Sequence, residues 1–224
     1  MKELGKAFSF PFKDPAWISK FIIAGIFILL CIILIGIPVI VGYLIQVTQR
    51  AMRREERVLP DWNDIGVKFV TGFKFCLIYC IYLLPVFILL IPMIAIAAAS
   101  ELADSPDVVG IFATVYLFAF TLLIVPYSLI LTAIIPIVAY RFAERERIGD
   151  ALDVGRVFRD FKLNWQNTLV VALIAVGIQS FAFIGIIFFF IGIVFSLFYS
   201  YLVSAYLHGL LYLELPEQER RGPA

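Results

Sequence analysis

Charge is what this sequence has least of. Only 16% of its 224 residues are Asp, Glu, Lys or Arg, against about a quarter in an ordinary soluble domain. Those residues are confined to a few blocks, and from Thr168 to Leu213 there is none at all. The net charge is +1, with Lys and Arg interleaved among Asp and Glu. No basic field attracts a polyanion, so no nucleic-acid partner is expected. The chain has one histidine, His208, and three cysteines, Cys31, Cys76 and Cys80, all inside apolar runs. A metal site needs a convergent ligand set, so the cysteines read as small buried hydrophobes and the redox compartment is not readable from them. No serine–histidine pair in nucleophile context, no intramembrane aspartate pair and no phosphate-cradling glycine loop is present. The expectation is therefore a non-enzymatic chain without a cofactor. A short apolar region followed by a small-residue cleavage site is also missing, so no removable signal peptide is expected.

What is there is hydrocarbon. Hydrophobic residues make up 62% of the chain and the mean hydropathy is +1.00. A membrane-crossing helix needs about 20 apolar residues at 1.5 Å of rise each, and several runs reach that length. The first extends from Trp17 to about Val47 and is interrupted at Gly36-Ile37-Pro38; the second runs from Val70 to Ala99, with Pro85 and Pro92 inside it. An acidic loop, Ser100–Val109, leads to a third run, Gly110 to Tyr140, which carries Pro126 and Pro136. At 31 residues that run exceeds a simple span, so it is tilted, kinked or broken. Thr168–Leu213 reads as two helices joined by a turn between Gly185 and Gly192. The fold class is all-α: a polytopic membrane protein occupying 1–224 as a single integral membrane domain, with the bilayer as its first partner. Trp17 and Trp165 precede apolar runs, where interface anchoring is expected.

Lys and Arg are distributed unevenly. Four lie up to Lys20, six in Gln46–Phe75, six in Arg141–Asn167 and two after Leu213. If the first run crosses once, there are five spans and the N-terminus lies outside. If it folds into a hairpin at Gly36-Ile37-Pro38, there are six and every Lys and Arg is cytoplasmic, as the positive-inside tendency prefers. The hairpin is the favoured reading, although its return arm has only about ten apolar residues and needs shielding by protein. On either reading the large charged loops and the C-terminus are cytoplasmic and the address is a cell membrane.

The two large charged segments resemble each other. Asp61-Trp62-Asn63-Asp64-Ile65-Gly66-Val67-Lys68-Phe69 and Asp150-Ala151-Leu152-Asp153-Val154-Gly155-Arg156-Val157-Phe158 share the pattern D-x-x-D-[IV]-G-x-x-F. Ile37-Pro38-Val39-Ile40 upstream of the first matches Ile135-Pro136-Ile137-Val138 upstream of the second. The pattern suggests an internal repeat over 18–99 and 110–190, and it reads as a helix start. The first Asp caps free N–H groups, the second lies near the positive end of the helix dipole, and Pro60 and Gly149 stop what precedes. A cation or docking site at these carboxylates is the alternative. In the second copy Ala151, Val154, Phe158, Phe161 and Trp165 form one stripe, while Asp153, Arg156, Arg159, Asp160 and Lys162 point elsewhere. That is an amphipathic interfacial helix. Inside the membrane the polar candidates are Gln179, Ser180 and His208; an interhelical hydrogen bond is the simple account of the first two. The abundant phenylalanines are read as lipid-facing.

Asp14-Pro15-Ala16-Trp17, Gly42-Tyr43, Leu59-Pro60-Asp61-Trp62, Gly72, the internal Leu84-Pro85 and the tyrosine-rich Tyr199–Tyr212 occur in an order that resembles the prokaryotic membrane family called domain of unknown function 4013. The resemblance covers nearly the whole chain. It implies a multi-span membrane fold and brings no activity, substrate or catalytic residue. An accessory subunit or a membrane-organising scaffold is the expected role, with other membrane subunits as partners. A small permease or channel for a neutral or lipidic solute, lined by Gln179, Ser180 and tyrosines, is the alternative.

Overall fold

The computed structural model describes residues 4–102, 106–182 and 189–220, and all regular structure among them is helical. In chain order the helices are α1 (Leu4–Ser9), α2 (Trp17–Leu29), α3 (Gly36–Met52), α4 (Ile65–Leu102), α5 (Pro106–Arg145), α6 (Ile148–Leu152), α7 (Val154–Ala182), α8 (Phe189–Leu213) and α9 (Glu217–Arg220). Short 3-10 turns follow α1 and α2. Helix is what lipid requires, because each backbone N–H and C=O must be paired within its own segment. Four helical stretches are long and apolar enough to cross a membrane: Ile65–Ala99, Val109–Arg145, Val154–Phe181 and Gly192–Leu213. A fifth is added if the bent pair Leu4–Lys13 and Trp17–Ile33, at 94°, counts as one span. The expected turn at Gly185–Gly192 falls largely outside the described residues. The acidic loop is narrower than expected, since α4 runs on to Leu102 and α5 starts at Pro106.

The first apolar run is a hairpin. Phe21 of α2 and Tyr43 of α3 both pack on Phe198 of α8, with ring centroids 5.1 and 5.7 Å away. A single straight helix would hold those two residues about 33 Å apart at 1.5 Å per residue. The reversal comes slightly earlier than the sequence suggested, at Leu34 (φ 65°) and Gly36, and Pro38 sits in the first turn of α3, where its missing N–H costs nothing. A Cβ on Gly36 would lie 2.0 Å from the Phe27 carbonyl oxygen, so only glycine closes this turn. The hairpin does not supply two full spans, because α2 has 13 residues and α3 has 17.

The chain divides into two compact units. One comprises residues up to Ile78 together with Ala133 onward, and the other is Tyr79–Thr132. In the first, α3 is the central helix. It meets α4 backbone to backbone: a Cβ on Gly42 would stand 1.8 Å from the Lys68 carbonyl oxygen, and one on Gly72 1.8 Å from that of Pro38. It meets α8 as closely, where Thr48 Oγ1 donates to the Ala205 carbonyl at 2.9 Å and a Cβ on Gly209 would fall 2.5 Å from that of Ala51. With no hydrophobic drive between helices in lipid, close packing of small residues and interhelical hydrogen bonds do the joining.

The second unit is a pair of helical segments. Pro85 and Pro92 sit inside α4 without ending it, although each deprives its own helix of a hydrogen bond. Hydroxyls from α5 bond the backbone next to these gaps: Tyr127 donates to the carbonyl of Tyr82 and Tyr116 to that of Leu89, each one residue after the carbonyl, of Ile81 or Ile88, that loses its donor to the proline. Beside this pair lies an apolar cleft of about 290 Å³ lined by Met93, Ile96, Val109, Ala113 and Leu117.

The glycines separate by function. Gly42→Ala or Gly72→Ala should cost about 1–3 kcal/mol through overpacking, whereas Gly66, with open space around its Cβ position, should tolerate Ala with no loss. Denaturant or thermal unfolding in detergent distinguishes the two groups.

Candidate functional site

The loop between α3 and α4 carries four of the candidate residues, Pro60, Asp61, Trp62 and Asp64. It begins where Arg54 turns left-handed (φ 54°) after α3 and ends at Asp64 (φ 55°), directly before α4. Between them the backbone has no helical ladder, so side chains take up its carbonyls. Lys20 Nζ and Arg50 Nη1 each donate to the Leu59 carbonyl at 3.0 Å, and Tyr43 Oη donates to that of Pro60 at 3.0 Å. Trp62 is stacked between Tyr43 (4.3 Å) and Phe27 (5.1 Å), and its Nε1 donates to the Lys20 carbonyl at 3.0 Å.

Lys20 is the centre of this clasp. It is only 6% exposed. Its ammonium meets Asp14 Oδ2 at 2.8 Å, Asp61 Oδ1 at 2.8 Å and the Leu59 carbonyl, so three partners serve three protons. Burial raises the Asp14 carboxyl, but the Lys20 hydrogen bond, the Ala16 N–H and the Lys20 charge outweigh it and hold it below the ordinary carboxylate value. Asp61 is lowered too, chiefly by its hydrogen bond to Lys20.

A second clasp joins α5 to α7. Arg141 and Asp160 are 4% and 0% exposed. They pair through two bonds, Nε to Oδ2 at 2.6 Å and Nη2 to Oδ1 at 2.7 Å. Tyr140 Oη donates to Oδ2 at 2.9 Å, and Glu144 Oε2 lies 3.5 Å from Arg141 Nη1. Beside it, Glu146 (φ 54°) follows the last residue of α5. It accepts from Gln49 of α3 at 2.9 Å and from Thr71 of α4 at 3.1 Å. Arg141 neutralises Asp160, while Glu146 is held by the neutral donors of Gln49 and Thr71, so the arrangement binds helices together. Among the described residues, no three His, Cys, Asp or Glu side chains converge in a way that could hold a metal ion.

The chain matches the model of a family described as a protein of unknown function, DUF4013, over residues 25–197. It belongs to that family. No curated protein and no solved structure matches it. The DUF4013 match contains Gly42, Tyr43, Leu59–Trp62, Gly72, Arg141 and Asp160. It leaves out Asp14–Trp17, Lys20 and all of Tyr199–Tyr212, so the match is shorter than the resemblance suggested.

Within DUF4013's matched stretch the paired D-x-x-D segments part company. In both copies it is the second aspartate, Asp64 or Asp153, that directly precedes a helix, not the first. Asp64 offers its carbonyl to the Val67 and Lys68 N–H groups, while Asp153 caps α7 through its side chain, with Arg156 N–H on Oδ1 at 3.1 Å. Asp61 is held by Lys20, whereas Asp150 lies inside α6, 3.9 Å from Arg156. Gly66 stands in open space and Gly155 touches only Asp153, so nothing in the packing explains the shared glycine. Gln179 is half-buried; Ser180 is exposed and bonds the Val176 carbonyl of its own helix rather than a neighbour. His208 is half-buried on α8. The cysteines are not buried as expected: Cys31 and Cys76 are half-buried and Cys80 is exposed.

Lys20, Arg141 and Asp160 were missed as site residues. One signal was present: Tyr140 follows Ile135-Pro136-Ile137-Val138 much as Tyr43 follows Ile37-Pro38-Val39-Ile40. Both tyrosines are buried, and both direct their hydroxyls into the charged segment that follows.

Removing one partner of a buried pair strands the other. Arg141→Met or Asp160→Leu alone should cost about 3–5 kcal/mol, and the double variant should recover a large part, as read by unfolding in detergent. At the Lys20 clasp both aspartates titrate below their unfolded value near 3.9. Their stabilisation is therefore complete above about pH 4 and fades as the pH falls through the lower folded values. Thermal midpoints measured against pH should show that acid-side decline in the native chain and lose it in Lys20→Met.

Proposed function

We propose that this chain is a non-enzymatic membrane-organising scaffold, acting alone or as an accessory subunit of a larger membrane assembly. The supporting observation is the α2–α3 hairpin. Its polar clasp at Lys20 and its tip at Leu34 are 14 residues apart, about 21 Å of helix, against a hydrocarbon core of about 30 Å. The tip is aliphatic on every exposed face: Ile32 is 82% and Leu34 70% exposed, and Leu29, Leu30, Ile33 and Ile35 are exposed as well. No charge lies between Lys20 and Arg50. Such a tip is stable in hydrocarbon and unstable in water. A hairpin that enters and leaves on one face occupies more area in that leaflet than in the other, and an unequal area bends a bilayer. The clasp residues are positioning residues on this reading, holding the hairpin at its depth. The same reading puts the charged loops and C-terminus on the cytoplasmic face of a cell membrane, supported by the grouping of Lys and Arg in those segments.

The permease alternative has less support. Ser180 is spent on its own helix, and the Tyr116 and Tyr127 hydroxyls are spent on carbonyls of α4.

Reconstitution into liposomes, viewed by electron microscopy, tests the scaffold. Vesicles carrying the protein should be smaller or tubulated relative to empty ones, and Leu34→Lys should abolish the effect. A cysteine placed at Ile32 in a cysteine-free background should resist membrane-impermeant maleimide from both sides. Unchanged vesicles, a monomer that co-purifies with nothing, and labelling of the tip from the far side would together dispose of the reading.

A further inference from the structure

Before α2 comes a short arm, α1 with the 3-10 turn Phe10–Lys13, set at 94° to the helical stretch Trp17–Ile33. Specific bonds build the corner between them. Asp14 leaves the helical region (φ −79°, ψ 123°). Its Oδ1 accepts from the Ala16 N–H at 2.8 Å, its carbonyl from the Trp17 N–H at 3.1 Å, and its Oδ2 from the Lys20 ammonium. One buried carboxylate therefore sets the direction of the arm and ties it to α2. From the other side α8 holds it: Tyr199 Oη donates to the Phe8 carbonyl at 2.9 Å, and Phe10 stacks on Tyr206 with ring centroids 4.6 Å apart.

Ala7, Phe10 and Pro11 are buried, which leaves Phe8 and Phe12 facing out. Phe12 lies edge-on to Trp17 at 5.2 Å and tilted against Tyr199 at 5.7 Å. Trp and Tyr collect at the level of lipid headgroups. Directly after Trp17 the exposed stripe Ile18, Ile22 and Ile26 continues along α2 to Leu29 and Leu30, so apolar surface runs from the arm to the hairpin tip. Within α1, at about 100° per residue, Leu4 stands about 40° from Phe8 on one flank. Ser9 and Lys6, both exposed, stand about 100° and 160° away on the other. The arm thus has an apolar edge and a polar edge, the two sides of an interfacial helix.

We propose that Leu4–Lys13 docks in the plane of the lipid surface from which α2 descends, with Phe8 and Phe12 sunk to the acyl boundary and Ser9 turned to water. An arm perpendicular to a helix that enters a bilayer lies along the bilayer surface. Its partner is lipid, because its apolar edge is continuous with the exposed stripe of α2. The bent pair is then one in-plane arm and one descending helix. The inference rests on the hairpin's entry into the bilayer, and not on any bending of the membrane.

The test reads depth residue by residue in liposomes. Phe8→Cys, Ser9→Cys and Phe12→Cys, each in a background without Cys31, Cys76 and Cys80, are labelled with an environment-sensitive nitrobenzoxadiazole dye. Labels at Phe8 and Phe12 should emit at shorter wavelength than the dye in water. They should lose more emission to lipids carrying a doxyl group near the top of the acyl chain than to lipids carrying it near the methyl end. Aqueous iodide should quench the label at Ser9 and spare the other two. A Leu34→Cys label, quenched by the deep doxyl, reports the hairpin's own entry separately, so failure of the arm and failure of the hairpin are told apart. Iodide quenching all three arm labels alike would overturn the proposal by placing the arm in water. Stronger quenching of Phe8 and Phe12 labels by the deep doxyl would overturn it by making the arm part of a span. Protection from both quenchers would do so too, since protein would then cover the face. If the cysteine-free background does not fold, Phe12→Trp in the native chain with brominated lipids reads the same depth by difference from wild type.

Discussion

A buried ammonium has three protons to place and no water to receive them. Lys20 places them on Asp14, Asp61 and the Leu59 carbonyl, and several features of the first unit follow from that choice. Asp61 and Leu59 belong to the loop after α3, so the start of α2 and the end of α3 must share one end of the bundle. The chain between them has to reverse, and Gly36 is the residue that allows it. The same loop puts Trp62 between Phe27 and Tyr43, filling the mouth of the hairpin with aromatic surface. Lys20 and Asp14 are buried while Asp61 reaches the surface, and a buried ammonium is costly once its partners are removed. This makes the clasp a determinant of geometry more than a reservoir of stability.

Hydropathy made the membrane class legible, and the count of Lys and Arg made the hairpin the better of two topologies. Both are properties of composition along the chain; the membrane class and the reversal near Gly36 are found in the structure, while the hairpin's six spans are not, since among the described residues four or five helical stretches are long and apolar enough to cross. The clasps were not legible, because the usual rule of burial inverts in lipid. In water an apolar stripe turns inward and charges turn outward. Here Val154, Phe158 and Trp165 are welcome on the outside, while Asp160 needs protein around it. The stripe read as interfacial put Asp160 among the residues pointing elsewhere, and nothing in the pattern marked it as the one that Arg141 holds inside the protein. The cysteines failed for the same reason: Cys80 loses nothing by facing hydrocarbon. The D-x-x-D pattern was legible as a helix start but not as to which aspartate begins the helix. That depends on where Arg54 and Glu146 end the preceding helices, and left-handed backbone at Arg or Glu has no reliable sequence signal.

The glycines and prolines complete the argument about what a helical membrane chain must conserve in physical terms. Gly42 and Gly72 let α3 and α4 approach until each Cβ position lies against the other's backbone, a contact that larger side chains on these helices would prevent. Pro85 and Pro92 do the opposite, opening the ladder of α4, and Tyr127 and Tyr116 donate to the neighbouring carbonyls of Tyr82 and Leu89. Two of the tyrosines that sequence alone offers as a polar lining, Tyr116 and Tyr127, are thus bonded to backbone carbonyls of α4. Once those hydroxyls and both clasps are accounted for, the polar chemistry of the described residues is largely spent on holding helices together. The surfaces left over, the aliphatic tip at Ile32–Ile35 and the outward edge of the N-terminal arm at Phe8 and Phe12, are shaped for lipid.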